Sequence, residues 1–214
     1  MCTGSFKIKT MNYAEMAFSD ASKRFQERYG SRASYARMEL FKNPDGLTEY
    51  EIDFISHQDN FYMATNGKDG YPYIQFRGGP KGFLKVLDDQ TLGFVDFGGN
   101  KQYISIGNLT TNNKVALFLL DQAAKTRLKI YAEAEIVEID DNPELFEKLD
   151  PQDYKHRPER ILVLHVKAYD WNCPQHITER YTLEEISAEF MAQHEYINKL
   201  RAENERLKAE LNSR

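Results

Sequence analysis

Phe97-Gly98-Gly99-Asn100-Lys101-Gln102 is the first stretch whose residue types and spacing suit chemistry. It reads as a strand end, a turn through two glycines and the start of a helix. Backbone N–H groups exposed at such a turn, with the positive end of the helix dipole, favour an anion. Lys101 adds a full charge and Asn100 an amide, so a phosphate is the natural occupant. Taken alone, such a pattern is more often an ordinary tight turn than an anion site.

Gln75-Phe76-Arg77-Gly78-Gly79 is the second candidate. Alternation along a strand directs Gln75 and Arg77 to one face and Phe76 to the other. Arginine suits bidentate recognition of phosphate, and Gly78 and Gly79 would let a flat ring approach the backbone. The competing reading is an edge-strand arginine beside a flexible loop. Arg127 and Lys129, at the start of a later strand, also share a face. They could meet a phosphate or the electron-rich end of a redox ring, or simply be solvated.

Cys173 and His176 are the reactive pair by type, three residues apart in a turn that holds Pro174. A thiolate nucleophile needs a base that close, but a zinc site would need two further ligands that no second Cys/His pair provides. A structural or pocket-lining role fits them better. His57, His156, His165 and His194 are scattered, so no catalytic or metal-ligating set is assigned.

The elements that must carry these segments are mostly strands. FYMATN and YPYIQFR, joined by Gly67-Lys68-Asp69-Gly70, form a hairpin. TLGFVDF, VALFLL, RLKIYAEAEIVEI and ILVLHVKAYDW complete six strands, with GGPKGF as a loop and KQYISIGNL as a short helix. Leu128, Ile130, Ala132, Ala134 and Ile136 alternate with polar residues, as on a half-buried antiparallel strand. Six close strands favour an antiparallel barrel over a parallel α/β sheet. Helices are expected over 143–149 and in the charged stretch 18–38, broken near Gly30. Another follows the turn Pro44-Asp45-Gly46, where Thr48 and Glu51 have capping-box spacing.

After Leu183 the chain reads as helix without Gly or Pro. Phe190, Ile197, Asn204 and Leu211 recur every seventh residue, with Gln193, Leu200 and Leu207 interleaved. These are the a and d positions of a coiled coil, and Asn204 at an a position favours a parallel, in-register pair. Glu203 and Lys208 could pair between chains. A single surface helix packing on its own barrel is the alternative.

The totals agree with a folded chain. Its 214 residues are 41% hydrophobic and 13% aromatic, enough for a core. A net charge of −5 argues against a general nucleic-acid binder. Two cysteines, one near the N-terminus, fit a reducing compartment better than a disulfide scaffold. No apolar run reaches membrane-spanning length and no secretory signal is evident, so a cytoplasmic location is expected.

In fixed order, PYIQFRGG, GFVDFGGNKQ, VALFLL and RLKIYAEAEIVEI resemble the FMN-binding split barrel of the pyridoxamine 5'-phosphate oxidase superfamily. RGGPKGFLKVLDDQTLGFVDFGGNKQYISIGN and DWNCPQHI are similar to its branch of predicted flavin-nucleotide-binding proteins. The resemblance covers roughly Leu47 to Tyr181. It implies a mainly β (α+β) fold: a six-stranded antiparallel split β-barrel over 47–181. A helical extension over 1–46 and a coiled-coil helix over 182–214 would flank it.

The resemblance also implies a homodimer with FMN at the interface. Gln75, Phe76, Arg77, Gly78 and Gly79 would lie along the flavin and its phosphate arm. Val95 and Asp96 would pass the ribityl chain, and Asn100, Lys101 and Gln102 would hold the phosphate. The family pattern has Arg-Lys where this chain has Asn100-Lys101, which shifts the missing charge onto Arg77. Arg127 falls where a glutamine commonly approaches the ring, Trp171 where the other subunit contributes a tryptophan, and Arg180 near a cofactor-contacting arginine. The residues that bind substrate phosphate in the oxidases are not reproduced in NPELFEKLDPQDYKHRPER or NCPQHITERY. The implied activity is therefore a flavin-dependent oxidoreductase on another small organic substrate. A non-catalytic flavin carrier or redox sensor with a coiled-coil partner surface is the alternative. Such barrels also accommodate a deazaflavin or haem.

Overall fold

Among the described residues, seven strands form one antiparallel sheet: β1 (Asn60–Asn66), β2 (Pro72–Gly78), β3 (Lys85–Asp88), β4 (Thr91–Phe97), β5 (Lys114–Asp121), β6 (Thr126–Val137) and β7 (Pro158–Trp171). Their order is β2-β1-β5-β6-β7-β4-β3. The computed structural model describes residues 12–40, 46–171 and 174–212. Cys2, Cys173, Pro44 and Asp45 lie outside them.

The expectation of six strands is corrected to seven. The missed strand, β3, has only four residues, KVLD, and they do not alternate in burial. It exists because it pairs with β4, Lys85 opposite Gly93 and Val86 opposite Leu92. Long-range pairing of this kind leaves no periodicity in so short a segment.

The other strands follow their patterns. Leu128, Ile130, Ala132 and Ala134 of β6 are buried and their neighbours are not. Val115, Leu117 and Leu119 of β5 face the same core. The sheet curls: Phe61 of β1 meets Phe94 of β4 edge-on, ring centroids 5.4 Å apart, with Phe83 stacked on Phe61 at 5.6 Å. β1 and β4 share no backbone pairing, so the side chains alone close this part of the core.

Helices flank the sheet. α1 (Tyr13–Ala17) lies on it through Tyr13, stacked on Tyr131 at 4.7 Å. α2 (Asp20–Arg28) and α3 (Arg32–Leu40) are separated at Gly30, whose φ of +77° suits glycine. α4 (Glu49–Ser56) starts with the expected capping box. The Glu51 carboxylate accepts from the Thr48 N–H at 2.9 Å and from its hydroxyl, while its other oxygen accepts from the Trp171 indole N–H at 2.6 Å. α5 (Ile104–Leu109) and α6 (Pro143–Leu149) complete the set around the sheet.

The chain divides into two compact units, Met1–Asp121 with Thr126–Pro174, and Gln122–Lys125 with Gln175–Arg214. The second contains α7 (Leu183–Asn212). Thr182 and Glu185 cap that helix reciprocally, and Lys125 pairs with Glu179. Among the described residues no helix is long and apolar enough to cross a membrane.

Candidate functional site

The end of β4, the following loop, the inner face of β2 and the start of β7 enclose a polar cleft of about 190 Å³. Five of the residues singled out in the sequence line it: Gln75, Arg77, Asp96, Asn100 and Lys101. Strand alternation places the first two there. Gln75 and Arg77 turn inward, while Ile74 and Phe76 between and beside them are exposed.

Asp96 is buried on the cleft floor. One of its carboxylate oxygens accepts from Arg77 Nη1, the other from Arg160 Nη1 at 2.7 Å. Arg160 also donates to Glu159 at 3.2 Å, and Glu159 accepts from Arg157 at 3.1 Å. Burial works against the Arg160 charge, but the hydrogen bond and charge of Asp96 more than offset it, so its pKa lies above the ordinary arginine value. Arg77 also lies over the Phe94 ring at 5.9 Å, and its Nε is buried without a hydrogen-bond partner among the described residues. Such a donor is costly to leave unmade.

Ser105, buried at the cleft wall, donates to Gln75 Oε1 at 2.7 Å and fixes that amide. The Tyr103 ring lies 5.3 Å from the Arg160 guanidinium, and its hydroxyl donates to Glu159 at 3.4 Å. Lys101 makes no hydrogen bond or ion pair among the described residues and is exposed at the cleft mouth. Among the described residues three cations and two carboxylates thus line the cleft, and the charge without a partner there is a cation.

The expected helix start at Asn100-Lys101 is corrected. α5 begins at Ile104, so Asn100, Lys101 and Gln102 belong to the loop before it. Within that loop Asn100 Oδ1 accepts from the Gln102 N–H at 3.1 Å. Lys101 and Tyr103 have φ of 61° and 53°, left-handed values that cost a side-chain-bearing residue about 1–2 kcal/mol. Gly98, whose N–H donates to the Arg157 carbonyl at 2.7 Å, ties the loop to the chain before β7.

The remaining sequence candidates lie elsewhere. Val95 is buried in a small apolar cluster with Ile161 and Leu149. Gly79 makes room for a core ring: a Cβ there would lie 2.6 Å from Phe83 Cγ. Arg127 precedes the buried Leu128, so alternation puts it with Lys129 on the outer face, opposite the face bearing Gln75 and Arg77. Its Nε too is buried without a partner among the described residues. Lys129 is held by Asp170 at 2.9 Å and by the Tyr13 ring at 4.6 Å. Trp171 packs on Tyr50 and Phe54 of α4, eleven residues from Arg160 and so roughly 35 Å along β7. Arg180 belongs to the second unit.

Sequence reasoning missed Arg160, Glu159, Tyr103 and Ser105. Arg160 is opposite Asp96 across β4 and β7. Sixty-four positions separate the two in sequence, and only the pairing of two strands brings them together. An acid inside the apolar run of TLGFVDF was the available signal, since a buried carboxylate needs a cation.

The family model described as pyridoxamine 5'-phosphate oxidase matches residues 47–172, more than half of the chain. Similar solved structures include HupZ from Group A Streptococcus, at 19% identity over 63% of this chain and 99% of that one, TM-score 0.48. An FMN-binding protein from Syntrophomonas wolfei has 14% identity over 69% of this chain and 97% of its own, TM-score 0.45. A protein of the pyridoxinephosphate oxidase family from Clostridium acetobutylicum has 17% identity over 64% and 94%, TM-score 0.44. No curated protein matches the sequence. The family match, spanning α4 to β7 and every residue that lines the cleft, makes this chain a member of the pyridoxamine 5'-phosphate oxidase family, whose members commonly bind FMN.

Proposed function

We propose that this protein binds FMN, with the phosphate in the cleft between Arg77, Lys101 and Arg160, and uses it as a flavin-dependent oxidoreductase on a small organic substrate. The observation that carries this reading is the Arg77 guanidinium, held on one side by Asp96 and left with an Nε that has no partner among the described residues, in the same cleft as Lys101, which has none among them either. Such a donor set fits a dianionic phosphate. Asp96 holds the two guanidinium groups in place before a ligand arrives, and Ser105 does the same for Gln75.

At about 190 Å³ the cleft is smaller than the roughly 300–1,000 Å³ usual for a whole small-molecule site. It suits the phosphate end of the ligand, and the ring must be covered by something else. Tyr62, Ile74 and Phe76 are exposed on the outer face of β1 and β2, and Arg127 is on the outer face of β6. A second copy seated there would cover these groups and bring Arg127 to a ring that its own cleft does not reach. A homodimer with the flavin between copies is therefore part of the proposal. When bound, a flavin supplies hydride or single-electron transfer. The chain's contribution is to anchor the phosphate, exclude water and place positive charge near the ring.

The exposed apolar positions along α7 favour, as a second reading, a flavin carrier or redox sensor without turnover that presents this helix to a partner. Purified protein incubated with FMN and then with each reduced nicotinamide separates the two. Bleaching of bound flavin followed by reoxidation on adding a substrate supports the oxidoreductase. Stable yellow protein that neither nicotinamide reduces supports the carrier, and protein that stays colourless contradicts both.

A further inference from the structure

α7 runs for 30 residues, about 45 Å at 1.5 Å per residue, and carries an apolar stripe along its length. Structure extends the heptad series one repeat earlier than the sequence suggested. Leu183, Phe190, Ile197, Asn204 and Leu211 recur every seventh residue, with Ile186, Gln193, Leu200 and Leu207 interleaved. All nine are exposed, the seven apolar ones from 39% at Ile186 to 84% at Leu183. A stripe this long and regular is the seam of a coiled coil.

The flanking positions identify the occupant. On one side of the seam stand Glu189, Tyr196, Glu203 and Glu210; on the other stand Ser187, His194, Arg201 and Lys208. One flank is acidic and the other basic. In a parallel, in-register pair each residue of the acidic flank meets the basic flank of the partner one heptad on. Glu189 then faces the partner's His194, Tyr196 faces the partner's Arg201, and Glu203 faces the partner's Lys208. An antiparallel pair would set glutamates against glutamates and Arg201 near a second basic residue. Asn204 adds register, because an amide at this seam is satisfied only by a second amide opposite it. Within one chain Lys208 pairs with Glu205 at 3.0 Å, an exposed contact worth little and easily exchanged.

We infer that the exposed face of α7 is the binding surface for α7 of a second copy of this chain, parallel and in register. The inference stands apart from the flavin site, since it uses no residue of the cleft.

The test uses the full chain with Cys2→Ser and Cys173→Ser, which removes both native thiols, plus either Gln193→Cys or Leu211→Cys. Under mild oxidation each variant should cross-link almost completely to itself. A mixture of the two should give 193–193 and 211–211 bridges, with few 193–211 bridges. Reversing the acidic flank (Glu189→Lys, Glu203→Lys and Glu210→Lys) should lower self-cross-linking at least fivefold. Mixing those chains with chains carrying His194→Glu, Arg201→Glu and Lys208→Glu should restore it. No cross-linking, a predominance of 193–211 bridges, or indifference to flank charge would each overturn the inference. Because the readout is a tail disulfide, it can fail while FMN absorbance persists, and FMN binding can fail while it persists.

Discussion

Asp96 stands between Arg77 and Arg160, giving one carboxylate oxygen to each guanidinium. All three side chains are 86% buried or more. The pair of arginines is held in place by a group that also neutralises part of their charge. Asp96→Ala leaves Arg77 uncompensated and Arg160 with Glu159 alone, and removing one partner of a buried ion pair typically costs about 3–5 kcal/mol. A lower urea midpoint is expected, and added inorganic phosphate should raise that midpoint more in the variant than in the parent protein. An unchanged midpoint would show that the triad is not holding the cleft.

Among the described residues Lys101 is the cation of the cleft without a partner, so its charge is the one that a ligand gains in full. Lys101→Ala should weaken FMN binding by about 1.5–3 kcal/mol, the scale of a hydrogen bond to a charged group. Fluorescence titration with FMN measures this directly, and an unaltered dissociation constant would remove Lys101 from the phosphate site.

Gly78 and Gly79 are adjacent but differ in what surrounds them. A Cβ at Gly79 would meet Phe83 at 2.6 Å, and Phe83 is fixed in the aromatic cluster with Phe61 and Phe94. At Gly78 the nearest atom is Cε1 of the exposed Phe76 ring, which can swing aside. Gly79→Ala should therefore cost about 1–3 kcal/mol by overpacking, and Gly78→Ala within about 0.5 kcal/mol. Equal thermal midpoints for the two variants would contradict this difference.

Glu51 links α4 to the end of β7 through Thr48 and Trp171. Burial raises its pKa, but the hydrogen bonds from Thr48 and Trp171 outweigh that and hold it below the ordinary glutamate value. A depressed folded-state pKa contributes stability above the unfolded value of about 4.3, and that contribution is lost as pH falls through the lower folded value. Acid titration of stability should show this loss, and Glu51→Gln should flatten it. An identical acid limb in both proteins would remove Glu51 as its source.

Much of this was legible locally. The hairpin of β1 and β2, the capping box at Thr48 and Glu51, the break at Gly30 and the helix 143–149 each rest on neighbours in sequence. β3 was not legible, because four residues gain their strand character only from β4. The helix expected at Asn100 begins at Ile104 instead, since Lys101 and Tyr103 take left-handed backbone that propensity does not anticipate. Arg160 was invisible for a related reason: nothing near it in sequence points to Asp96, and the register of β4 on β7 creates their contact. The cleft was therefore half readable, with the β2 and loop residues found and the β7 wall missed.

Gel filtration of the purified chain after incubation with excess FMN shows whether the chain holds the flavin. Yellow flavin absorbance should travel with the protein at one FMN per chain, and should be lost when Arg77→Ala and Lys101→Ala are combined. Colourless protein, with all FMN eluting as free ligand, would contradict FMN binding.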